Sequence, residues 1–558
     1  GGPSSSDNRK FISSVPDLLR SSMKKAFEQT PYKDDLGVLQ HFEKHIDDCA
    51  DKWKSAQHDV YYAPYTVLFQ GSGTGKSRLL YQLAQNRFVL YLCLRERSSS
   101  GVPPATQLFC NYFLIEKGNA MVNAVAFFYS CVEFLDGKTI EDWNRQQHSN
   151  KFESDIITRA LYLVENWKDS LSQLLNQEAV ERFCTNEFAG VWSKVETRLS
   201  NTVKTKAKLV FAFDESRSLL QISPGENTQF INIRRALRCL PSGIFAIFAD
   251  TISNLTNFAP SASLDPSARL FLCQNELFPP FYFMATFDLF TKTNSSSNQL
   301  LSLQELFALG RPLWGAALNN DANIKDLLKL AEQKLLGGGI TVDNWIKKPT
   351  LSSALAVLSS RISLDITAES RIASELVAGF MGICVHVSED RCRLLVFYPS
   401  EPIVAEAAAS LMQHEIVFRK LLNFLLDALH TGYVEPGYRG ELVARLLLMI
   451  AWDQATGSRG LLSSSMSSHL ENLGYMREFV SQPIRVKDFL TSLFGQDNYN
   501  DHIQDLPQKF ADGLLAFTHF IPLTYTPTQI ELKSLFIRYA AVICKRNQAG
   551  VDLILPVL

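Results

Sequence analysis

Apolar and polar positions alternate along this chain in two rhythms. From residue 61 to about 290, short apolar runs lie between longer stretches of helical spacing. The runs fall at 65–70, 88–94, 209–213, 244–249 and 280–285, and 156–175 is a helical stretch between them. Runs this short and this apolar predict strands buried on both faces. Strands separated by helices predict an α/β domain with a largely parallel sheet. Residues 1–60 are polar and helix-forming, with helical spacing from Leu36 to Trp53. Residues 290–380 read as helical, and 370–381 is a helix followed by apolar runs at 383–387 and 392–398. Helix then hairpin predicts a winged helix. A mainly helical stretch from about 403 to 545 closes on a strand-like run at 552–558. The expected organisation is a helical N-terminal segment over 1–60 and an α/β domain over 61–320. A helical or winged-helix module over 321–430 and a further helical domain over 431–558 complete it.

Composition narrows this picture. With 558 residues, 46% hydrophobic and 20% charged, the chain has the make-up of several packed domains rather than of a disordered protein. Fifty-five Lys and Arg against 57 Asp and Glu give a net charge of −2. That excludes a globally basic nucleic-acid binder and leaves a local basic groove open. The ten cysteines form no C-x-x-C pair and sit mostly in apolar runs, as buried thiols in a reducing compartment do. The most apolar stretch, 121–135, contains Asn123 and Glu133 and reads as a buried helix, so no membrane partner is expected. The N-terminus lacks the form of a signal peptide. The histidines show no zinc-binding spacing.

The strongest motif is Val67-Leu-Phe-Gln-Gly-Ser-Gly-Thr-Gly-Lys-Ser-Arg78. An apolar strand enters a glycine-rich turn and then a helix, the arrangement of a phosphate-binding loop. Gly71, Ser72, Gly73, Thr74 and Gly75 would wrap backbone N–H groups around phosphate oxygens. Lys76 would reach the β- and γ-phosphates and Ser77 would place its hydroxyl on Mg²⁺. Arg78 opens the helix whose N-terminus favours an anion. Gln70 stands where the pattern has its first glycine. The competing reading is a plain glycine turn between strand and helix.

A carboxylate partner follows in Lys208-Leu-Val-Phe-Ala-Phe-Asp-Glu215. Asp214 would emerge at the C-terminal end of a buried strand, where ligands bind in open α/β sheets, and act through the metal. Glu215 would polarise the attacking water. Alone, the pair reads equally well as a solvated turn. The next strand ends at Asp250-Thr251, and Thr251 is the candidate γ-phosphate sensor, or a simple loop start. Arg234, Arg235 and Arg238 lie on the helix between, as a charge-stabilising finger for a neighbouring subunit or as a solvated helix face. Tyr61, Tyr62 and Tyr65 are candidates for stacking on adenine, or core residues. ATP and Mg²⁺ are the expected ligands, and a homo-oligomer is a candidate assembly.

Leu309-Gly-Arg-Pro-Leu-Trp314 resembles the Gly-x-Pro-Leu element at the end of the ATPase module in signal-transducing (STAND-like) P-loop ATPases. That resemblance implies a winged helix downstream and makes Arg311 a nucleotide-sensing candidate, or a residue in a loop capping a helix. Together with the loop and Asp214-Glu215, several stretches resemble the Crinkler-type proteins of fungi and oomycetes. They are Leu92-Cys-Leu-Arg-Glu-Arg97, Pro279-Pro-Phe-Tyr-Phe-Met284, Phe397-Tyr-Pro-Ser-Glu-Pro402 and Gly440-Glu-Leu-Val-Ala-Arg445. The resemblance spans roughly 60–558. It implies a STAND/AAA-like P-loop ATPase controlling a C-terminal effector, often restriction-endonuclease-like. It also implies DNA as a partner and action in the nucleus or cytoplasm, including delivery into host cells. Such nucleases hold Mg²⁺ with a helix Glu and a strand Asp, followed by Glu/Gln-x-Lys. Glu441 and Asp552 match the first two, or are ordinary surface acids. Glu531-Leu-Lys533 precedes the Asp and sits in a helical stretch, and the chain stops at Leu558 before a third element. The expected C-terminal domain is therefore partial, and its nuclease activity is open. The alternative function is a nucleotide-gated interaction switch without nuclease activity.

Overall fold

The structure, a computed structural model, describes residues 16–95, 101–114, 119–147, 149–220, 228–250, 276–291, 300–369, 371–435, 439–457, 468, 471–474, 479–498, 506–545 and 550–558. It is mixed α/β and about 57% helical. The strands β1 (Tyr65–Phe69), β2 (Phe88–Cys93), β3 (Leu209–Asp214) and β4 (Ile244–Asp250) form a parallel sheet in the order β1-β4-β3-β2. The first three are buried along their whole length, which explains why they read as unbroken apolar runs. The run at 280–285 forms no full strand. Phe281 bridges Leu68 in parallel, with Phe69 N donating to Phe281 O at 2.9 Å. It therefore lies beside the β1 edge, just beyond the sheet.

Side chains alternate across each strand and divide the core into two layers. Leu68, Val89, Val210 and Ile247 face α2 (Val38–Val60) and α3 (Lys76–Leu83), which contribute Phe42, Ile46, Leu79 and Leu83. Val67, Leu90, Phe211 and Phe248 face the opposite layer. Its centre is α5 (Ala120–Leu135), packed by α7 (Asn150–Ser172), α8 (Gln177–Thr202) and α9 (Gln229–Arg238). The short helices α4 (Gln107–Leu114) and α6 (Ile140–Gln146) flank it. The apolar stretch at 121–135 is thus an interior helix, and no helix among the described residues is long and apolar enough to cross a membrane. The polar N-terminal segment packs into the domain: α2 is one of its layer helices, and α1 (Asp17–Glu28) lies against helix Pro312–Leu318.

The second half is organised around helix Leu351–Ile362, buried from Ser352 to Ile362. Helix Arg371–Gly379 leads into the antiparallel hairpin β5 (Ile383–Val387) and β6 (Leu394–Phe397), in the order its sequence pattern predicts. The helical expectation for 403–545 holds for helices Pro402–Gln413, Glu415–Thr431 and Arg439–Gly457. Beyond them short strands intervene: β7 (Ile484–Arg485) pairs with β8 (Leu514–Leu515), and β9 (His519–Pro522), β10 (Ala540–Ile543) and β11 (Leu553–Ile554) form a sheet in the order β11-β10-β9. One hydrophobic core, from Leu19 to Ala541, runs through both halves.

Candidate functional site

Parallel strands place all their C-terminal ends on one edge of the sheet. There β1 hands over to the turn 70–75, and α3 begins at Lys76. Gly73 and Gly75 have φ of 78° and 94°, in the left-handed region that glycine enters without strain. A Cβ on Gly73 would also run into Leu313 at 2.9 Å. Thr74 Oγ1 donates to Gly71 O at 2.9 Å and closes the turn. Lys76 is folded back, its ammonium donating to Gln70 O at 2.6 Å and Gly71 O at 3.0 Å.

From β3, Asp214 meets the loop. Ser77 Oγ donates to Asp214 Oδ2 at 2.6 Å, and the Tyr91 hydroxyl on β2 donates to the same oxygen at 2.5 Å. Burial and the neighbouring Glu215 charge raise the Asp214 pKa above the usual carboxylate range, against these two hydrogen bonds. Glu215 has a φ of 54°, an uncommon left-handed conformation for a side-chain-bearing residue. It pairs with Arg95, just past β2, at 3.0 Å. Ser77 and Asp214 thus present hard oxygen donors side by side, a set that suits Mg²⁺.

Lys76, Ser77, Arg95 and Glu215 line a cavity of about 420 Å³, whereas Asp214 and Tyr91 are buried outside its lining. Its floor is the loop 72–78. Its far wall comes from α1 and the residues after it, including Phe27 and Tyr32, and from Phe290, Leu313 and Lys334. Tyr61, Tyr62 and Tyr65 do not line it. Tyr61 stacks on Phe278 at 4.1 Å, and Tyr62 and Tyr65 are core residues. Arg234 is also interior, 4.6 Å over the Tyr62 ring and 1% exposed, so it cannot reach a neighbouring subunit. Arg238 lies 5.3 Å over the same ring. Thr251 lies outside the described residues.

Arg311 is a clamp. Its Nε and Nη2 form a fork with Glu401, with the closest contact at 2.6 Å, and Nη2 also donates to Met381 O at 2.8 Å. Nη1 donates to Ser72 O at 2.5 Å, so Arg311 touches the loop backbone rather than the space above it. Gln70 holds the loop from the other side. Its amide donates to Tyr282 O and Cys384 O, each at 2.9 Å, and accepts from Cys384 N at 2.8 Å. The loop is therefore fastened to the hairpin β5–β6.

Residues 34–284 match a sequence family described as a domain of unknown function (DUF8735), and residues 346–558 match a second, also a domain of unknown function (DUF8736). No curated protein and no solved structure matches the chain. The first matched segment holds the loop, Asp214 and Glu215. The second holds Cys384 and Glu401. Arg311 and Lys334 lie between them.

Glu441 and Asp552 sit on separate elements. Glu441 is in the first turn of helix Arg439–Gly457, whose Arg445 donates to Ile362 O and to Ser363 O at 2.7 Å. Asp552 is exposed beside β11, its carbonyl accepting from Cys544 N at 2.8 Å. No group of three or more His, Cys, Asp or Glu that could hold a metal occurs among the described residues. Glu531 caps its own helix in a capping box with Thr528. The residues not anticipated from sequence are Lys334, Tyr91, Phe27 and Phe290. None lies in a motif, and each reaches the site only through tertiary packing.

Proposed function

We propose that this chain binds and hydrolyses ATP with Mg²⁺ as a P-loop switch, and that its nucleotide state sets the disposition of the C-terminal half. The observation that carries the reading is the convergence of Lys76, Ser77 and Glu215 on one cavity at the C-terminal edge of a parallel sheet, with the buried Asp214 bonded to Ser77. Lys76 would leave its backbone carbonyls for the β- and γ-phosphate oxygens, supported by the N–H groups of the turn. Ser77 and Asp214 would hold Mg²⁺, which neutralises charge developing on the phosphates. Tyr91 keeps the Asp214 carboxylate aimed at Ser77. Glu215 would accept a hydrogen bond from the attacking water. Phe27, Tyr32 and Phe290 offer an apolar wall for the base.

Two substitutions test this. Lys76→Ala should abolish binding of a fluorescent ATP analogue. Glu215→Gln should keep binding and slow phosphate release by about 10²–10⁴-fold, the usual worth of a positioned base. Unchanged phosphate release in Glu215→Gln would sink the hydrolysis reading.

The Crinkler resemblance makes DNA-directed nuclease action the proposal for the C-terminal half. The fastening of the loop to the hairpin through Gln70 supports a second reading, in which that half is an interaction module and the protein a nucleotide-gated switch.

A further inference from the structure

Cations crowd the cavity. Lys76, Arg95, Arg217 and Lys334 line it, and Glu215 is the sole acid in the lining among the described residues. Glu215 is already paired with Arg95. Lys334 forms no ion pair among the described residues. Its ammonium donates at 2.8 Å to a neutral group, the Ser72 hydroxyl, across a gap of 262 residues in sequence.

Lys334 lies in the last turn of helix Ile324–Leu335, where a lysine ordinarily serves the helix's own carbonyl end. Here the side chain instead crosses to the loop. Burial, then the nearby Arg311, Arg95 and Lys76, lower its pKa to about 8, with Glu215 the one opposing charge. A cation held among cations in a partly dry site is poised for an anion. Its neighbours place that anion. Ser72 lies between Gly71 and Gly73 of the turn, and Glu215 is the group proposed to address water at the terminal phosphate.

We infer that Lys334 is a second phosphate-binding lysine, supplied from outside the loop, and that it takes the terminal phosphate of a bound nucleoside triphosphate. The inference rests on the nucleotide reading above. It adds a consequence for coupling, because helix Ile324–Leu335 packs against helix Pro402–Gln413. Engagement of Lys334 would pull on the helix that begins next to Glu401.

The test compares a non-hydrolysable ATP analogue with ADP in calorimetric titrations of wild type, Lys334→Gln and Lys334→Arg. Lys334→Gln should weaken the triphosphate by about tenfold to a hundredfold, the range for one charge-assisted hydrogen bond. ADP affinity should change little, and Lys334→Arg should recover most of the loss. Titrations at pH 8 in two buffers of different ionisation heat supply a second readout. Wild type should take up protons with the triphosphate, and Lys334→Gln should take up fewer. Equal loss for both ligands, or no loss, overturns the assignment. Failure of wild type to bind either nucleotide overturns the nucleotide reading itself.

Discussion

Gln70 uses its whole amide. Its Nε2 donates to Tyr282 O and Cys384 O, and its Oε1 accepts from Gly71 N and Cys384 N. A glycine at this position would satisfy the loop pattern and leave those backbone groups without these partners. The departure from the pattern is thus an attachment point between the loop and the hairpin. Arg311 and Glu401 work on the same loop by charge. Both side chains are buried, with Arg311 at 0% and Glu401 at 3% exposure. Removing one member of such a pair leaves an uncompensated charge. Glu401→Ala should cost about 3–5 kcal/mol in urea unfolding, and adding Arg311→Met should recover part of that loss. A Glu401→Ala variant with wild-type stability would contradict the clamp. Lys76, Ser77, Asp214 and Glu215 are legible in the sequence because local spacing alone defines them. Glu401 and Lys334 are not. Each meets its partner across a long stretch of chain, 90 residues for Glu401 and Arg311, and only packing reveals the pair.

Among the elements, the four sheet strands are legible because burial on both faces leaves unbroken apolar runs. The segment at 280–285 reads like them but contributes only a bridge beside β1, since an edge position needs fewer paired residues. The region after 457 misleads for the opposite reason. Strands such as β7 and β8 have two residues each, too few for any period to register, whereas β11 falls within the strand-like run at 552–558. Docking of the hairpin on the loop is equally invisible in sequence, yet it leaves little room. A Cβ on Gly71 would lie 2.3 Å from Gly382 O. Backbone cannot yield as a flexible side chain can, so Gly71→Ala must push the hairpin away. A stability loss of about 1–3 kcal/mol, as for other overpacked sites, should appear in thermal unfolding. An unchanged midpoint would mean that loop and hairpin are not in contact in solution.

Across the whole molecule, the halves share polar links as well as a core. His519 is 2% exposed, and its Nε2 stands 2.8 Å from Ser400 Oγ. Arg538 donates to the same Ser400 Oγ at 3.1 Å and to Asp288 Oδ2 at 2.6 Å, beside the Gly310–Arg311 turn. Burial, with the nearby Arg538 and Arg361 charges, lowers the His519 pKa to about 3. A histidine held neutral in the fold contributes stability above its unfolded pKa of about 6.5 and loses it as pH falls toward 3. Between pH 6.5 and 5 that loss should reach about 2 kcal/mol, and His519→Asn should flatten it in urea unfolding followed against pH. A slope that the substitution leaves unaltered would place the acid sensitivity elsewhere.

The attachment of the loop to the hairpin also bears on how such chains can recombine. A crossover after Arg311, in the segment between the two matched families, gives the offspring its loop, Gln70 and Arg311 from one parent and its hairpin and the residue at 401 from the other. The incoming half must then bring an acid at 401 and an open backbone edge at 384, or the loop loses its anchorage. Domain shuffling at this junction is constrained by a few atoms behind the phosphate site, however freely the outer surfaces drift.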